Sequence, residues 1–271
     1  MKKVVIILAF VLTYTFTFAQ ETPVVAATEE PTSKFALGID LVYPYMWRGI
    51  KLNHNKLAFQ PYASYAFTDK LTFGVWATTN LSDSEKAYNE FDWYVSYQVT
   101  PVVSVLLSDY YYNATKKSGG TRNSYFKYDA NSPHVMDLSI LFDFSENDVP
   151  LEIQWNTIIV GNDFDANGKR AFSSYAEIAY TFTFENVGVD LKPFIGMAVI
   201  NKEGFYGYHK SGKAGAAFTN VGLNLSKEIA FSENSILPVF VRYTYNENGN
   251  VNNNGDLKNG VISGGMTFTI K

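Results

Sequence analysis

The chain has 271 residues, no cysteine and a formal net charge of −4 at pH 7. The lack of cysteine excludes disulfides, thiolate metal sites and a lipidated cysteine anchor in this sequence. The acidic balance argues against nucleic acid as a partner.

The first 19 residues have the pattern of a secretory signal peptide. Lys2 and Lys3 precede an apolar run that ends at Ala19, with the small residue Thr17 before the expected cut. At 16 residues the run is short for a transmembrane helix, which needs about 20. We therefore predict a signal peptide over 1–19 and export of the chain. Residues 20–34 are rich in Pro, Thr and Glu and are predicted to be a flexible periplasmic lead to one domain, 35–271.

From Phe35 to Trp47 every second residue is a large apolar or aromatic one. This alternation predicts a β-strand, and its length exceeds the 5–6 residues that are typical of globular proteins. Similar segments recur, and together they predict twelve strands. The other eleven are 57–67, 71–79, 91–99, 102–112, 134–144, 151–160, 173–184, 187–200, 218–226, 236–245 and 261–270.

Short turns and long polar loops alternate between these segments, which is the layout of an outer-membrane barrel. We predict an all-β fold, a transmembrane antiparallel up-and-down β-barrel of about 12 strands in the cell outer membrane. Its expected partners are outer-membrane lipid and the barrel-assembly machinery. No mature segment is apolar enough to span a bilayer as a helix. The even strand number places both chain ends at the short-turn, periplasmic side.

Charged residues favour one face of the predicted strands, opposite the apolar face. Seven acidic and three basic residues lie there, and such a lining favours cations or small neutral solutes such as sugars. The alternative is that these groups pair and fill the interior, because barrels of about eight strands are filled and those of about sixteen carry channels. The predicted pore-lining residues are Asp40, Arg48, Gln60, Asp92, Asp137, Asp143, Glu152, Gln154, Glu177, Asp190, Lys192 and Arg242. The segment 102–112 has no clear orientation, because Asp109 shares the face of its apolar residues.

Aromatic residues cluster near both ends of the strands, as in the two girdles of a membrane barrel. Arg48 is expected to face the lumen near the extracellular rim, and the aromatics beside it to face lipid or the membrane interface. The prolines predict bulges or a local register shift, because a closed barrel has no free edge. The girdle candidates are Tyr45, Trp47, Trp93, Tyr110, Tyr245, Phe67, Phe73, Phe144, Phe184 and Phe268, and the prolines are Pro44, Pro61, Pro193 and Pro238.

The segment "YPYMWRGI", Tyr43 to Ile50, resembles the first strand of the TorF-type porins, chiefly over Tyr45 to Gly49. The resemblance implies an outer-membrane pore with no catalytic residues. The chain departs from the usual terminal aromatic of such barrels, because Phe268 and Ile270 precede Lys271. Arg48 has two interpretations, one as part of a selectivity ring and the other as half of a structural ion pair.

Three further possibilities concern other classes of function. "DFDANG" places Asp163, Asp165 and Asn167 at the first calcium-loop positions, but Ser174 stands where a glutamate is required, so we expect an ordinary turn and no cofactor. A lipid hydrolase would need a nucleophile and a base, and Ser132 with His134 is the nearest candidate pair. No orienting partner is evident in the sequence, so no enzyme is expected.

A further alternative is a non-conducting structural or adhesion barrel that exposes the loop "NENGNVNNNGD".

Overall fold

The computed structural model of the chain describes residues 34–82, 87–112, 125–129, 132–232, 235–251 and 257–270. The predicted signal peptide and all but the last residue of the predicted lead lie outside these residues. Among the described residues, no helix is long and apolar enough to cross a membrane.

The regular secondary structure of the described residues is β-strand, apart from one short 3-10 helix over Ser145–Asn147. The strands are β1 (Phe35–Tyr43), β2 (Met46–Trp47), β3 (Ile50–Lys51), β4 (Ala58–Ala66), β5 (Leu71–Thr79), β6 (Asn89–Gln98), β7 (Val103–Tyr112), β8 (His134–Asp143), β9 (Leu151–Gly161), β10 (Ser174–Tyr180), β11 (Phe182–Phe184), β12 (Val189–Ile200), β13 (Ala217–Ser232), β14 (Ser235–Val251) and β15 (Leu257–Ile270).

These strands form a closed antiparallel barrel, in which sequence neighbours pair side by side. β10 and β11 share one position of the wall, because both pair with β12. The ring closes where β1 pairs with β15, with Leu37 opposite Ile270 and Tyr43 opposite Gly264. Among the strands that the structure describes, only β2 and β3 stand outside the wall, since they form a sheet of their own. The predicted all-β barrel of 12 strands is therefore confirmed.

Burial alternates along the strands, which shows which side chains point inward. In β8, Asp137, Ser139 and Leu141 are buried, whereas Leu138 and Ile140 between them are each 37% exposed. The same alternation along the other strands leaves large apolar side chains on the outside of the wall. Examples are Phe73, Phe91, Trp155, Ile178, Ile195, Leu223, Val241, Ile262 and Phe268. An apolar exterior around an interior that holds many buried polar and charged side chains fits a barrel that is surrounded by lipid.

The prolines do not produce the bulges that were expected. Pro61 and Pro193 keep regular register with Ile39 and Leu223, and the register shifts of the sheet fall elsewhere. Pro44 follows the end of β1, and Pro238 precedes the part of β14 that pairs with β15. At Pro44 and Pro238 the missing N–H group is tolerated because each of these two prolines lies outside a segment that is paired on both sides.

The predicted exposed loop "NENGNVNNNGD" is partly strand. β14 continues to Val251, and Asn246, Asn248 and Asn250 are buried inside the barrel. Low β-propensity hid this extension from the sequence pattern, because asparagine is depleted in strands. The rest of that segment, 252–256, lies outside the described residues.

Candidate functional site: the interior of the barrel

The chain leaves the wall after Tyr43 and folds into the barrel as a small hairpin. Met46 pairs with Lys51 and Trp47 with Ile50, so Arg48 and Gly49 form a two-residue turn. Both turn residues have positive φ, 47° and 79°, as in a type I′ turn. A Cβ on Gly49 would overlap the carbonyl oxygen of Thr219 in β13, so only glycine lets the hairpin lie this close to the wall.

The expectation that the aromatics beside Arg48 face lipid is wrong. Tyr45 is fully buried and Trp47 is 6% exposed, both inside the barrel. The alternation of a strand fixes the face of a residue only while the strand continues, and β1 ends at Tyr43. Tyr110 also faces inward and is buried. The girdle predictions fit best for the exposed outer residues Tyr245, Phe67, Phe73, Phe184 and Phe268.

Arg48 is the centre of the contacts that hold the hairpin. Its Nη2 lies 2.6 Å from Oδ2 of Asp137 in β8, and its Nη1 donates to the Tyr206 hydroxyl at 2.9 Å. Its guanidinium also lies over the rings of Trp47 and Tyr175, at 4.7 and 5.2 Å from their centroids. Burial is the largest single cause and acts to lower the pKa of Arg48, but Asp137, Tyr206 and Tyr110 together outweigh it, and the pKa lies well above its usual value. The group therefore stays charged.

A second segment enters the interior from the connection between β12 and β13. Tyr206 is fully buried, and its ring stacks on Trp47 with centroids 5.6 Å apart. Asn201 Oδ1 accepts from the Tyr206 N–H at 2.9 Å, and Asn248 Nδ2 donates to its carbonyl at 3.1 Å. Burial raises the pKa of the Tyr206 hydroxyl, so it is a neutral partner of Arg48. Residues 45–51 with Phe205 and Tyr206 are called the plug below.

Amide side chains attach the plug backbone to its surroundings. Asn246 and Asn250 Nδ2 both donate to the Gly49 carbonyl at 2.9 Å, and Asn250 Oδ1 accepts from the Lys51 N–H at 2.8 Å. Asn53 Oδ1 accepts from the Tyr45 N–H at 2.9 Å. The inward asparagines of β14 thus replace the ladder partners that the hairpin lacks on that side.

The other predicted pore-lining residues also lie on the inner face. Asp40, Gln60, Asp92, Asp137, Asp143 and Arg242 are buried, and Glu152, Gln154, Glu177, Asp190 and Lys192 are partly buried.

Some of these residues are brought into contact. Lys192 Nζ lies 2.7 Å from both Glu152 oxygens, and Gln154 donates to Glu177 at 3.2 Å. Asp143 instead accepts from the Ser145 N–H at 2.9 Å. A pore-lining role for the set remains a prediction.

Glu90, which begins the inward face of β6, was not among the predicted pore-lining residues. It is buried, and its Oε2 accepts from Tyr88 at 2.9 Å and from Tyr45 at 3.3 Å. Glu90 lies two residues before Asp92, so the alternation of the strand places both side chains on the inner face. It was missed because the strand was predicted to begin one residue later.

The unclear orientation of the segment 102–112 has a structural cause at the rim. Asp109 points outward from β7 but is fully buried, because residues 125–129 cover it. Its carboxylate lies 3.1 Å from Nδ1 of His134 and accepts from Tyr128 at 2.9 Å. The His134 ring is surrounded by Tyr111, Tyr125 and Tyr128, with centroids 4.4 to 4.6 Å away.

This arrangement supplies the orienting partner for His134 that the sequence did not reveal, but the nearby serine is engaged elsewhere. Ser132 Oγ donates to the Lys127 carbonyl and accepts from the His134 N–H at 3.0 Å. The hydroxyl therefore fixes the backbone of the covering segment. Nothing in these contacts activates Ser132 as a nucleophile.

The candidate calcium loop uses its carboxylates internally. Asp163 accepts from the N–H and the hydroxyl of Ser173, at 2.8 and 2.7 Å. Asp165 Oδ1 accepts from the N–H groups of Asn167 and Lys169, both at 2.9 Å. In the described part of the chain, no three His, Asp or Glu side chains are placed to hold a metal ion. The segment is an Asx-type turn.

Fold and interior together define a closed 12-strand β-barrel with a folded-in plug, a class compatible with an outer-membrane location. The chain belongs to Gcw_chp, a family of bacterial proteins of unknown function, whose profile matches residues 26–231. The matched region includes the plug and the wall through most of β13. No curated protein matches the chain. The family description assigns no activity, so a porin role is a proposal for this chain.

Proposed function

We propose that the protein is an outer-membrane pore for small polar solutes, with cations preferred to anions, and that the plug is its gate. The single observation that carries this proposal is that the barrel closes without the hairpin. β2 and β3 pair only with each other, while twelve wall positions pair in an unbroken ring around them. The hairpin can therefore move without unpairing the wall.

The membrane location is supported by the apolar exterior and by the signal peptide predicted over 1–19. In this location the short turns lie in the periplasm and the long connections outside the cell. The partners are outer-membrane lipid, the barrel-assembly machinery and small polar solutes, and nucleic acid is not among them. The resemblance of "YPYMWRGI" to TorF-type porins supports the same class of protein, and no cofactor or enzymatic activity is proposed.

The preference for cations follows from the inward charges. Seven acidic residues and three basic ones were predicted on this face, and Glu90 adds a further carboxylate. Of the three basic side chains, Arg48 is bound to Asp137 and Lys192 to Glu152. Unscreened carboxylates along a narrow polar passage attract cations and repel anions.

A permanently closed structural barrel is the second candidate, and the burial of the plug favours it. The Arg48–Asp137 pair has side chains only 6% and 0% exposed, so moving the plug would separate two charges that have little contact with water. A gate held this firmly would open rarely. In this alternative the barrel serves to display its extracellular connections.

Recordings in planar bilayers distinguish the two candidates. The wild type is compared with a variant whose residues 45–51 are replaced by a Gly-Ser linker, and with Leu81→Ala as a control at an exposed loop residue. A gated pore predicts brief openings for wild type and control, and sustained, cation-selective conductance for the linker variant. If the linker variant is folded and heat-modifiable on gels but never conducts, the structural barrel is the correct description.

A further inference from the structure

We propose that Asp40, Gln60 and Thr267 form a binding site for a monovalent alkali cation on the inner wall of the barrel. The site is separate from the plug and depends only on the fold. It therefore stands whether or not the protein conducts.

The three side chains lie next to one another on adjacent strands. Asp40 in β1 is directly opposite Thr267 in β15 on one side and Gln60 in β4 on the other. All three point inward, and their exposed fractions are 2%, 2% and 0%. Directly paired residues on one face of an antiparallel sheet have Cβ atoms about 4.5–5.5 Å apart. Their polar ends thus face a common space.

Four oxygen atoms of this cluster have no hydrogen-bond partner outside it, namely both carboxylate oxygens of Asp40, Oε1 of Gln60 and Oγ1 of Thr267, and the Thr267 hydroxyl lies within reach of the Asp40 carboxylate. The other end of the Gln60 amide is engaged, because Nε2 donates to Thr78 Oγ1 at 3.3 Å. This bond leaves the carbonyl oxygen as the free end. No ion pair to Asp40 is found within the described ranges.

Aromatic rings enclose the cluster on the wall. Tyr62 lies against Gly38, where a Cβ would overlap its hydroxyl, and that hydroxyl is 3.4 Å from Oγ1 of Thr269. Phe240 lies against Gly265 in the same manner. These two glycines are the inward neighbours of Asp40 and Thr267 along their strands. A charged carboxylate held there without a counter-charge is costly, because burial removes its hydration.

The donor set determines which ligand fits. All four free atoms are oxygens, which hard cations prefer, and three of the four are acceptors without a proton. The site carries one formal negative charge, so one monovalent cation neutralises it. Calcium sites usually combine several carboxylates, and magnesium retains several waters in an octahedral shell. Sodium or potassium therefore matches this cluster better than a divalent ion.

The test measures thermal unfolding of the refolded full-length protein in detergent micelles. Sodium, potassium, calcium and N-methylglucamine chlorides are compared at equal ionic strength. Sodium or potassium is expected to raise the Tm saturably, by about 3–5 °C at ten times the dissociation constant. Asp40→Asn should abolish this dependence and Thr267→Val should weaken it, while Asp190→Asn, on the same inner face, should retain it.

Three outcomes overturn the proposal. The first is an equal Tm in alkali and N-methylglucamine salts. The second is a Tm of Asp40→Asn that exceeds the wild type in every salt, which would mean that Asp40 is buried as the neutral acid. The third is stabilisation by calcium at lower concentration than by either alkali cation. Thr267→Val keeps the test decisive if Asp40→Asn fails to fold.

Discussion

The guanidinium of Arg48 lies 2.6 Å from the carboxylate of Asp137, although 89 residues separate them in the chain. The contact joins a hairpin that is not part of the sheet to β8 of the wall. Arg48 also holds a positive φ of 47°, which costs a non-glycine residue about 1–2 kcal/mol. The ion pair and the bond to Tyr206 offset this strain, so the residue is bound to the wall by its side chain rather than by its backbone.

Replacing Arg48 with alanine should loosen the plug. An exposed ion pair contributes only about 0–1 kcal/mol, but this pair is buried, and its loss leaves Asp137 as an unpaired charge at a cost of about 3–5 kcal/mol. We expect a lower midpoint of urea unfolding and a higher open probability in bilayers. The reversal potential in a salt gradient should shift toward stronger cation preference.

The double variant Arg48→Met with Asp137→Leu is the matched control, because it removes both charges together. It should unfold closer to the wild-type midpoint than Arg48→Ala does. An Arg48→Ala protein with wild-type stability, conductance and selectivity would show that this ion pair does not restrain the plug.

Gly49→Ala should displace the hairpin from the wall. Gly49 combines a φ of 79° with contact against Thr219, so alanine adds both backbone strain and an overlap. Gly168→Ala is the matched control, because Gly168 has a φ of 73° but no atom within 4 Å of an added Cβ. Gly168→Ala should cost about 1 kcal/mol from strain alone, and Gly49→Ala clearly more. Equal losses in urea unfolding would mean that the packing of Gly49 on β13 is unimportant.

His134→Ala should release the covering segment at the rim. The imidazole contacts three tyrosines and the buried Asp109, so its removal exposes residues 125–129. We expect faster tryptic cleavage after Lys127, measured by mass spectrometry. His209→Ala, at an exposed loop histidine, should leave the rate unchanged. Neither wild type nor variant should release fatty acid from phospholipid micelles, and release that depends on His134 would establish a hydrolase.

The strands of the wall could be predicted because their cause is local. Alternating burial imposes a period of two, and this period is present wherever one face of a strand points into the barrel and the other points away from it. The inward position of Asp137 and Glu177 follows from that pattern alone. The orientation of β7 does not follow from the pattern, because Asp109 is covered by residues 125–129, which lie outside the strand.

The plug could not be predicted, since its direction depends on contacts across the barrel. The odd residues from Phe35 to Trp47 continue one pattern, yet Tyr45 and Trp47 lie inside. What turns them inward is the fit of Gly49 against Thr219 and the pairing of Arg48 with Asp137. Arg-Gly is also not the usual pair for a type I′ turn, where Asn-Gly dominates. The asparagines of β14 that complete the site resemble a polar loop in sequence.

Quenching of tryptophan fluorescence by brominated lipid tests the inward position of the hairpin most directly. Two single-tryptophan variants are compared, one retaining Trp47 and the other Trp155, with phenylalanine at the other tryptophan positions. Trp155 is 40% exposed on the outer face of β9, and Trp47 is 6% exposed in the interior. We predict strong quenching of Trp155 and almost none of Trp47. Quenching of Trp47 to the same extent as Trp155 would place the hairpin against lipid and contradict the account of the plug.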